Sequence, residues 1–310
     1  MTIHYDSIGL YSLQYDDETN YIYIHINYNG QAPYQALYES VPTEEECNAR
    51  FGTQGLPLNL DNCFKNCVNM VASPKLPDSV YTVGYGSTDG CFYGCNSLVI
   101  PPKLPTQVLN TNIYECGAVF RDCVNLAQGA LIPYNAVAAY YTYYGDVSLK
   151  TPVSIPQGVR RVNSLYYGCA SLEGEFCIKP TTLSGYSNAL KDTVNPITIY
   201  GDRSVCEAVA ATANNGNASW SAWYDPETPV TNRGQGSRTT AEDMTRMVRN
   251  GALAVPSYAP GRMVYHRGDF VREDEWDALV AAAQTIDPTV TASTRYDNLN
   301  KIEAAFGSAL

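Results

Sequence analysis
Histidine is scarce in this sequence. Only His4, His25 and His266 occur, and none stands in a partner pattern. A nucleophile activated by an imidazole base therefore has no visible arrangement. Phosphate-cradling and hydrolase signatures are missing as well. There is no Gly-x4-Gly-Lys-Ser/Thr loop, no His-Glu-x2-His and no Gly-x-Ser-x-Gly elbow, and Gly234-x-Gly236 lacks a third glycine. Two facing carboxylates would suffice for a glycosidase, so the 31 acidic residues keep a glycan-acting enzyme as a minor alternative. No catalytic, cofactor-binding or metal-binding residue is assigned, and the chain is expected not to be an enzyme.

Long apolar runs are also absent. No stretch of about 18 apolar residues, the length that spans a bilayer, occurs. The start, MTIHYDSIGLYSLQYDDETN, has neither a basic n-region nor an apolar h-region. The expectation is no membrane insertion and no secretion signal. Basic residues are few, 20 Lys and Arg against 31 Asp and Glu, for a net charge of −11. Nucleic acid is a poor partner for such a chain, since phosphate backbones are held by clustered positive charge.

What the chain does have is a repeated phrase: an aromatic, two residues, Cys, two residues, then Leu or Met. The copies are Phe64/Cys67/Met70, Phe92/Cys95/Leu98, Phe120/Cys123/Leu126 and Tyr166/Cys169/Leu172. Tyr143/Asp146/Leu149 keeps the same offsets, with Asp in place of Cys. A proline follows each copy at Pro77, Pro105, Pro133, Pro156 and Pro180. Weaker copies flank the set at Cys47/Pro57/Leu60 and Leu190/Thr193/Pro196, so the register reads 47, 67, 95, 123, 146, 169, 193. Such a period marks a repeat architecture, in which each unit buries its apolar face only against its neighbours. Phe64, Cys67, Phe92, Cys95, Phe120, Cys123, Tyr143, Leu149, Tyr166, Cys169 and Leu172 are the expected core. The segment from each Leu or Met to its Pro, Met70 to Pro77 being the first, is expected to supply one short strand per coil.

Ten cysteines invite a disulfide or zinc reading. Their positions argue against both. Most follow the repeat register, and zinc needs four converging Cys or His ligands. Buried, reduced thiols are the expectation.

The phrases CFKNCVNM, CFYGCNSL and LYYGCASL resemble the BspA-like class of leucine-rich repeats, found in bacterial surface proteins and in bacteriophage proteins. The resemblance covers about half the chain. It implies a fold class of α+β with a repeat: a right-handed leucine-rich-repeat solenoid over about residues 46–201, with six or seven coils. An N-terminal β-hairpin element and a small C-terminal α+β unit would flank it. The expected domains are 1–45, a β cap or docking element; 46–216, the solenoid with a C-terminal capping helix; 217–238, a linker; and 239–310, an attachment domain. Scaffolds of this kind serve many partners. The resemblance implies a virion protein (a tail or fibre protein, or a capsid attachment), assembled in the host cytoplasm. A bacterial leucine-rich-repeat adhesion protein is the alternative. Other virion proteins, a host protein or a glycan would be the partner, and homo-oligomerisation is allowed.

Outside the repeats, residues 10–28 read as a hairpin by strict alternation in YIYIHINY. The intervals from Cys67 to Cys95 and from Cys95 to Cys123 are longer than the later ones, and the extra residues fall in YTVGYGSTDG and LNTNIYECGA. Insertions in solenoids gather on one face, often the binding face. Tyr81, Tyr85 and Tyr114 of these insertions, with Tyr140 and Tyr141 of a related aromatic cluster one coil later, are the candidate binding face; the competing reading is that these rings only pack the outside of the coils. Ser204 with Glu207 predicts a helix to about Ala213. Thr240 with Asp243 predicts another, ending at Gly251, before a hairpin at Arg267 to Asp269 and two amphipathic helices.

Overall fold
The structure is a computed structural model of the chain. It describes residues 3–16, 18–26, 40–77, 79–105, 107–108, 115–221, 241–255, 257–263, 271, 273–291 and 296–309. Tyr114, the Thr240 cap and the expected hairpin at Arg267 to Asp269 lie outside the described residues.

The five ring positions of the repeat form one buried column. Phe64 stacks on Phe92 at 5.1 Å between ring centroids, Phe92 on Phe120 at 5.6 Å, Phe120 on Tyr143 at 5.7 Å and Tyr143 on Tyr166 at 5.5 Å, all within 11° of parallel. Tyr11 closes one end edge-on at 87° and Phe176 the other at 78°. All five column rings are fully buried, as are the register residues Cys67, Cys95, Cys123, Asp146 and Cys169 beside them. The two tyrosines of the column keep their hydroxyls satisfied: Tyr143 donates to the Ala130 carbonyl at 2.6 Å and Tyr166 to that of Val153 at 2.8 Å. A buried phenol costs little when it finds such a partner.

Backbone hydrogen bonds tie each repeat to the next by one rule. The amide of the ring residue donates to the carbonyl just before the next ring: Phe64 to Cys91, Phe92 to Val119, Phe120 to Thr142, Tyr143 to Leu165 and Tyr166 to Ala189, at 2.8–3.0 Å. The chain turns sharply just before each register residue. Asn66, Gly94, Asp122, Gly145, Gly168 and Asp192 all have φ between 60° and 78°. Only Gly, and at small cost Asn or Asp, visits that region readily, which is why the sequence uses no other type there.

Most of the expected one-strand-per-coil segments pair only through isolated parallel bridges, such as Ala72 with Ile100 and Gln128 with Thr151. Internal prolines weaken three of these segments, whereas Leu126–Pro133 has none before Pro133 and still pairs by a single bridge. Pro74, Pro77, Pro101, Pro102, Pro105, Pro133, Pro152 and Pro156 remove amide donors from these segments. The fifth segment has no proline before Pro180 and holds a true strand, Gly174–Ile178. Ser79–Val80 pairs parallel with Gln107–Val108, and a further line of single parallel bridges joins Glu115, Ala138, Arg161 and Gly185.

In chain order the strands are β1 Ile3–Ile8, β2 Tyr11–Asp16, β3 Tyr21–Ile26, β4 Leu58–Asn59, β5 Ser79–Val80, β6 Gly84–Tyr85, β7 Asp89–Gly90, β8 Gln107–Val108, β9 Gly174–Ile178, β10 Ile197–Gly201 and β11 Ala218–Ser221. The helices are α1 Glu44–Phe51, α2 Arg203–Ala210, α3 Ala241–Ala254, α4 Glu273–Gln284 and α5 Tyr296–Ala309. At the N-terminus, β2 and β3 pair antiparallel as a hairpin, β1 adds to one side, and β3 pairs parallel with β4. The alternation of YIYIHI buries Ile22, Ile24 and Ile26.

Four local readings need correction. Cys47, read as a weak repeat copy, lies on α1, which opens with a reciprocal capping box between Thr43 and Glu46 and ends at left-handed Gly52. Helix α2 is capped by Asp202, whose carboxylate accepts from the Val205 amide, rather than by Ser204. Gly251 does not end α3; it sits inside the helix where Phe306 packs, so close that a Cβ would stand 2.9 Å from the ring. The expected linker begins instead with β11, which extends the parallel β9-β10 pair to three strands.

Two buried cores result. One runs from Tyr11 to Ala210 through the ring column; the other gathers α3, α4 and α5 around Met247, Leu279, Ile302 and Phe306. Strand β9 serves both by its period of two: Phe176 and Ile178 enter the first core, Cys177 the second.

Candidate functional site
The residue that follows each ring of the column points the other way, outward. Lys65, Tyr93, Arg121, Tyr144 and Tyr167 occupy this position, Lys191 holds the equivalent place after Leu190 in the next copy, and all are half-buried. They form a second, external ladder. Lys65 Nζ lies 5.1 Å from the Tyr93 ring, Arg121 stands 5.3 Å from Tyr93 and 4.6 Å from Tyr144, Tyr144 stacks on Tyr167 at 4.7 Å, and Lys191 Nζ lies 5.3 Å from Tyr167. Cations and rings at these distances attract through the ring quadrupole. Each tyrosine of the ladder thus has neighbours along the stack.

The β6-β7 hairpin leans on this ladder. Its turn carbonyls are held by the ladder cations: Arg121 Nη1 donates to Ser87 O at 2.7 Å and Lys65 Nζ to Thr88 O at 2.9 Å. The Gly86 amide donates to the Tyr140 hydroxyl at 2.9 Å, and the Asn62 amide to Asp89 Oδ1 at 3.3 Å. The hairpin lies flat on the next repeat, because Gly84 and Gly90 have no side chain there. A Cβ on Gly90 would fall 1.8 Å from the Ala118 carbonyl oxygen. Tyr85, 57% exposed, projects from this clamped hairpin.

Beneath it, Tyr140 donates to the buried carboxylate of Glu115, which also pairs with Arg161. Arg161 stands 4.9 Å from the Tyr140 ring. Burial, followed by the Glu115 hydrogen bond, raises the Tyr140 hydroxyl well above the usual phenol range. Tyr140 is therefore a neutral strut between Glu115 and the hairpin backbone. Tyr141, held at φ 57°, lies against Tyr140 and 5.6 Å from Arg121.

Of the five tyrosines read from the sequence, Tyr85, Tyr140 and Tyr141 meet around this hairpin and ladder. Tyr81 does not join them. It stacks on Tyr21 of β3 at 3.9 Å, and the hydrogen bond with Tyr21, then burial, pushes its hydroxyl up to about 12. Tyr81 thus fastens the N-terminal sheet. The ladder residues Lys65, Tyr93, Arg121, Tyr167 and Lys191 were not singled out by sequence reasoning. Their constant place, one residue after each ring or after Leu190, was the available signal.

No family model matches this chain, and no curated protein or solved structure matches it.

A separate cleft of about 480 Å³ opens between repeat residues Leu104, Ile132 and Tyr134 and helix α4 at Ala278 and Ala281. Its walls are mainly apolar, with Lys103 and Asp277 paired at 3.4 Å on its rim. Among the described residues no cluster of His, Cys, Asp and Glu is arranged to hold a metal, and no helix is long and apolar enough to cross a membrane. All ten cysteines are buried and unbridged.

Proposed function
We propose that residues 46–201 form a leucine-rich-repeat solenoid of the BspA-like kind and that the protein is a non-enzymatic binding and structural component of a bacteriophage virion, as a tail or fibre protein or a capsid attachment. The flanking units attach it to other virion proteins, and the solenoid presents the Tyr85 hairpin to a host protein or glycan. The supporting observation for the binding role is the clamped hairpin. An exposed aromatic on a loop whose backbone is held at Gly86, Ser87 and Thr88 binds with little ordering cost. Tyrosine suits such a contact because it joins a rigid apolar ring to a polar tip. The support for the virion setting is the likeness of the repeat phrases.

The test has two arms. Mass spectrometry of purified particles should find the chain in stoichiometric amount. Recovery only in a bacterial envelope fraction would replace the virion reading by the adhesion one. Particles or protein carrying Tyr85→Ala should lose host-cell binding by about tenfold or more, as a central aromatic anchor does when truncated. Unchanged binding would move the recognition surface elsewhere.

A further inference from the structure
Asp146 breaks the chemistry of the register without breaking its geometry. At three register positions a thiol donates to the backbone carbonyl of the ring residue one repeat earlier: Cys95 Sγ to Phe64 O at 3.1 Å, Cys123 Sγ to Phe92 O at 3.1 Å and Cys169 Sγ to Tyr143 O at 2.9 Å. By the same register, the carbonyl equivalent to these for Asp146 is that of Phe120. A carboxylate has no proton to donate there. The Asp146 side chain is fully buried; its Oδ1 accepts from the Cys123 amide at 2.8 Å, and its Oδ2 has no partner among the described residues. An ionised carboxylate in this position would leave a buried charged oxygen unsatisfied, which folded proteins avoid by neutralising the group.

The groups acting on it give no help to a negative charge. Asp122 is a like charge, and the neighbouring thiols of Cys123 and Cys169 are themselves pushed up by burial. No cation is among the groups that act on it within the described residues.

We propose that Asp146 is a protonated carboxylic acid whose O–H donates to the Phe120 carbonyl while its C=O accepts from the Cys123 amide, so that a single proton joins the repeats of Phe120 and Tyr143 and makes that joint pH-sensitive. The acid does what the register thiol does and adds an acceptor. Burial raises its folded pKa above the unfolded value of about 4. Its contribution to stability is therefore complete below about pH 4 and is lost as pH rises through the folded value. The joint weakens toward alkaline pH.

Asp61 is a second aspartate pushed up, by burial, to about 7, so the experiment is run in an Asp61→Asn background. Infrared spectroscopy of protein labelled with carboxyl-¹³C aspartate should show a protonated-carboxyl stretch at neutral pH that Asp146→Asn removes. Across about pH 4 to pH 9, the melting temperature of the Asp146 protein should fall relative to Asp146→Asn, which keeps both hydrogen bonds and never ionises. Asp146→Cys, which restores the register thiol, should give the same flat reference. Absence of the band, or parallel melting profiles, overturns the proposal. If neither variant folds, the band in the Asp61→Asn parent decides by its presence or absence.

Discussion
Phe120 sits at the middle of the ring column, with Phe92 on one face and Tyr143 on the other. Truncating it removes a fully buried ring and both stacks at once. Phe120→Ala should cost about 3–5 kcal/mol, the usual range for a large core aromatic, read as a shift of the denaturation midpoint at constant slope. A loss under about 1 kcal/mol would mean that the column relaxes around the gap and is not a packed core. The residue next to it, Arg121, has the opposite task. It joins Tyr93, Tyr144 and the Ser87 carbonyl on the outside. Adjacent residues thus divide between core and surface, because each repeat crosses the column in a tight turn just before its register residue. The ring positions were legible from spacing alone. The outward neighbours were harder to see, since their position varies between Lys, Arg and Tyr and only its constant offset from each ring marked it before their stacking across repeats joined them.

At the scale of the element, the β6-β7 hairpin is an insertion whose backbone is held in place by the neighbouring repeats. Its flatness depends on glycine. Gly90→Ala places a methyl against the Ala118 carbonyl at 1.8 Å, and the hairpin must lift. The expected outcome is a loss of partner binding comparable to Tyr85→Ala, with earlier amide exchange at 84–91 and little change in the ring column. Exchange that stays slow would show that the hairpin absorbs the methyl, and that its clamps do not set its position. The helices teach a related lesson. Thr43-x-x-Glu46 is a capping box legible in the sequence and it opens α1, so Cys47 belongs to a helix although its offsets to Pro57 and Leu60 match a repeat copy. Gly251 reads as a helix stop by its type, but its helix continues because Phe306 needs the space. Propensity is a weak signal, and packing overrides it.

For the whole molecule, the C-terminal helices are joined to the repeats by more than a chain connection. Arg249 of α3 pairs with Glu175 of β9, which also accepts from Tyr200. Lys179 donates to the Ala252 carbonyl, the Ser154 amide to Pro260 O at 3.2 Å, and Cys177 meets Met263 at 3.4 Å. Within the helical unit, Arg262 holds Glu275 in a buried bidentate pair, both bonds at 3.0 Å. The two cores are therefore expected to melt together. Scanning calorimetry should give one transition, and Glu175→Ala, which removes the Glu175 contacts to Arg249 and Tyr200, should split it into two. Two resolved transitions in the unaltered protein would show that these contacts do not couple the units.

The sequence by itself determined the positions of Phe64, Phe92, Phe120, Tyr143 and Tyr166, the odd Asp146 among cysteines, and the alternation that buries Ile22, Ile24 and Ile26. These are periodic signals, and periodicity is what a linear sequence records directly. Only the tertiary structure decided that the proline-bearing segments pair through single bridges, that Tyr81 belongs to the N-terminal sheet, and that Lys65 and Arg121 hold the hairpin that carries Tyr85. It also decided that Cys177 leaves the repeat core for the helical one. Each of these depends on which groups, 20 to 90 residues apart in the chain, come within a few ångströms of one another. That proximity is set by how the repeats stack and where the flanking units dock, and no local pattern of residues encodes it.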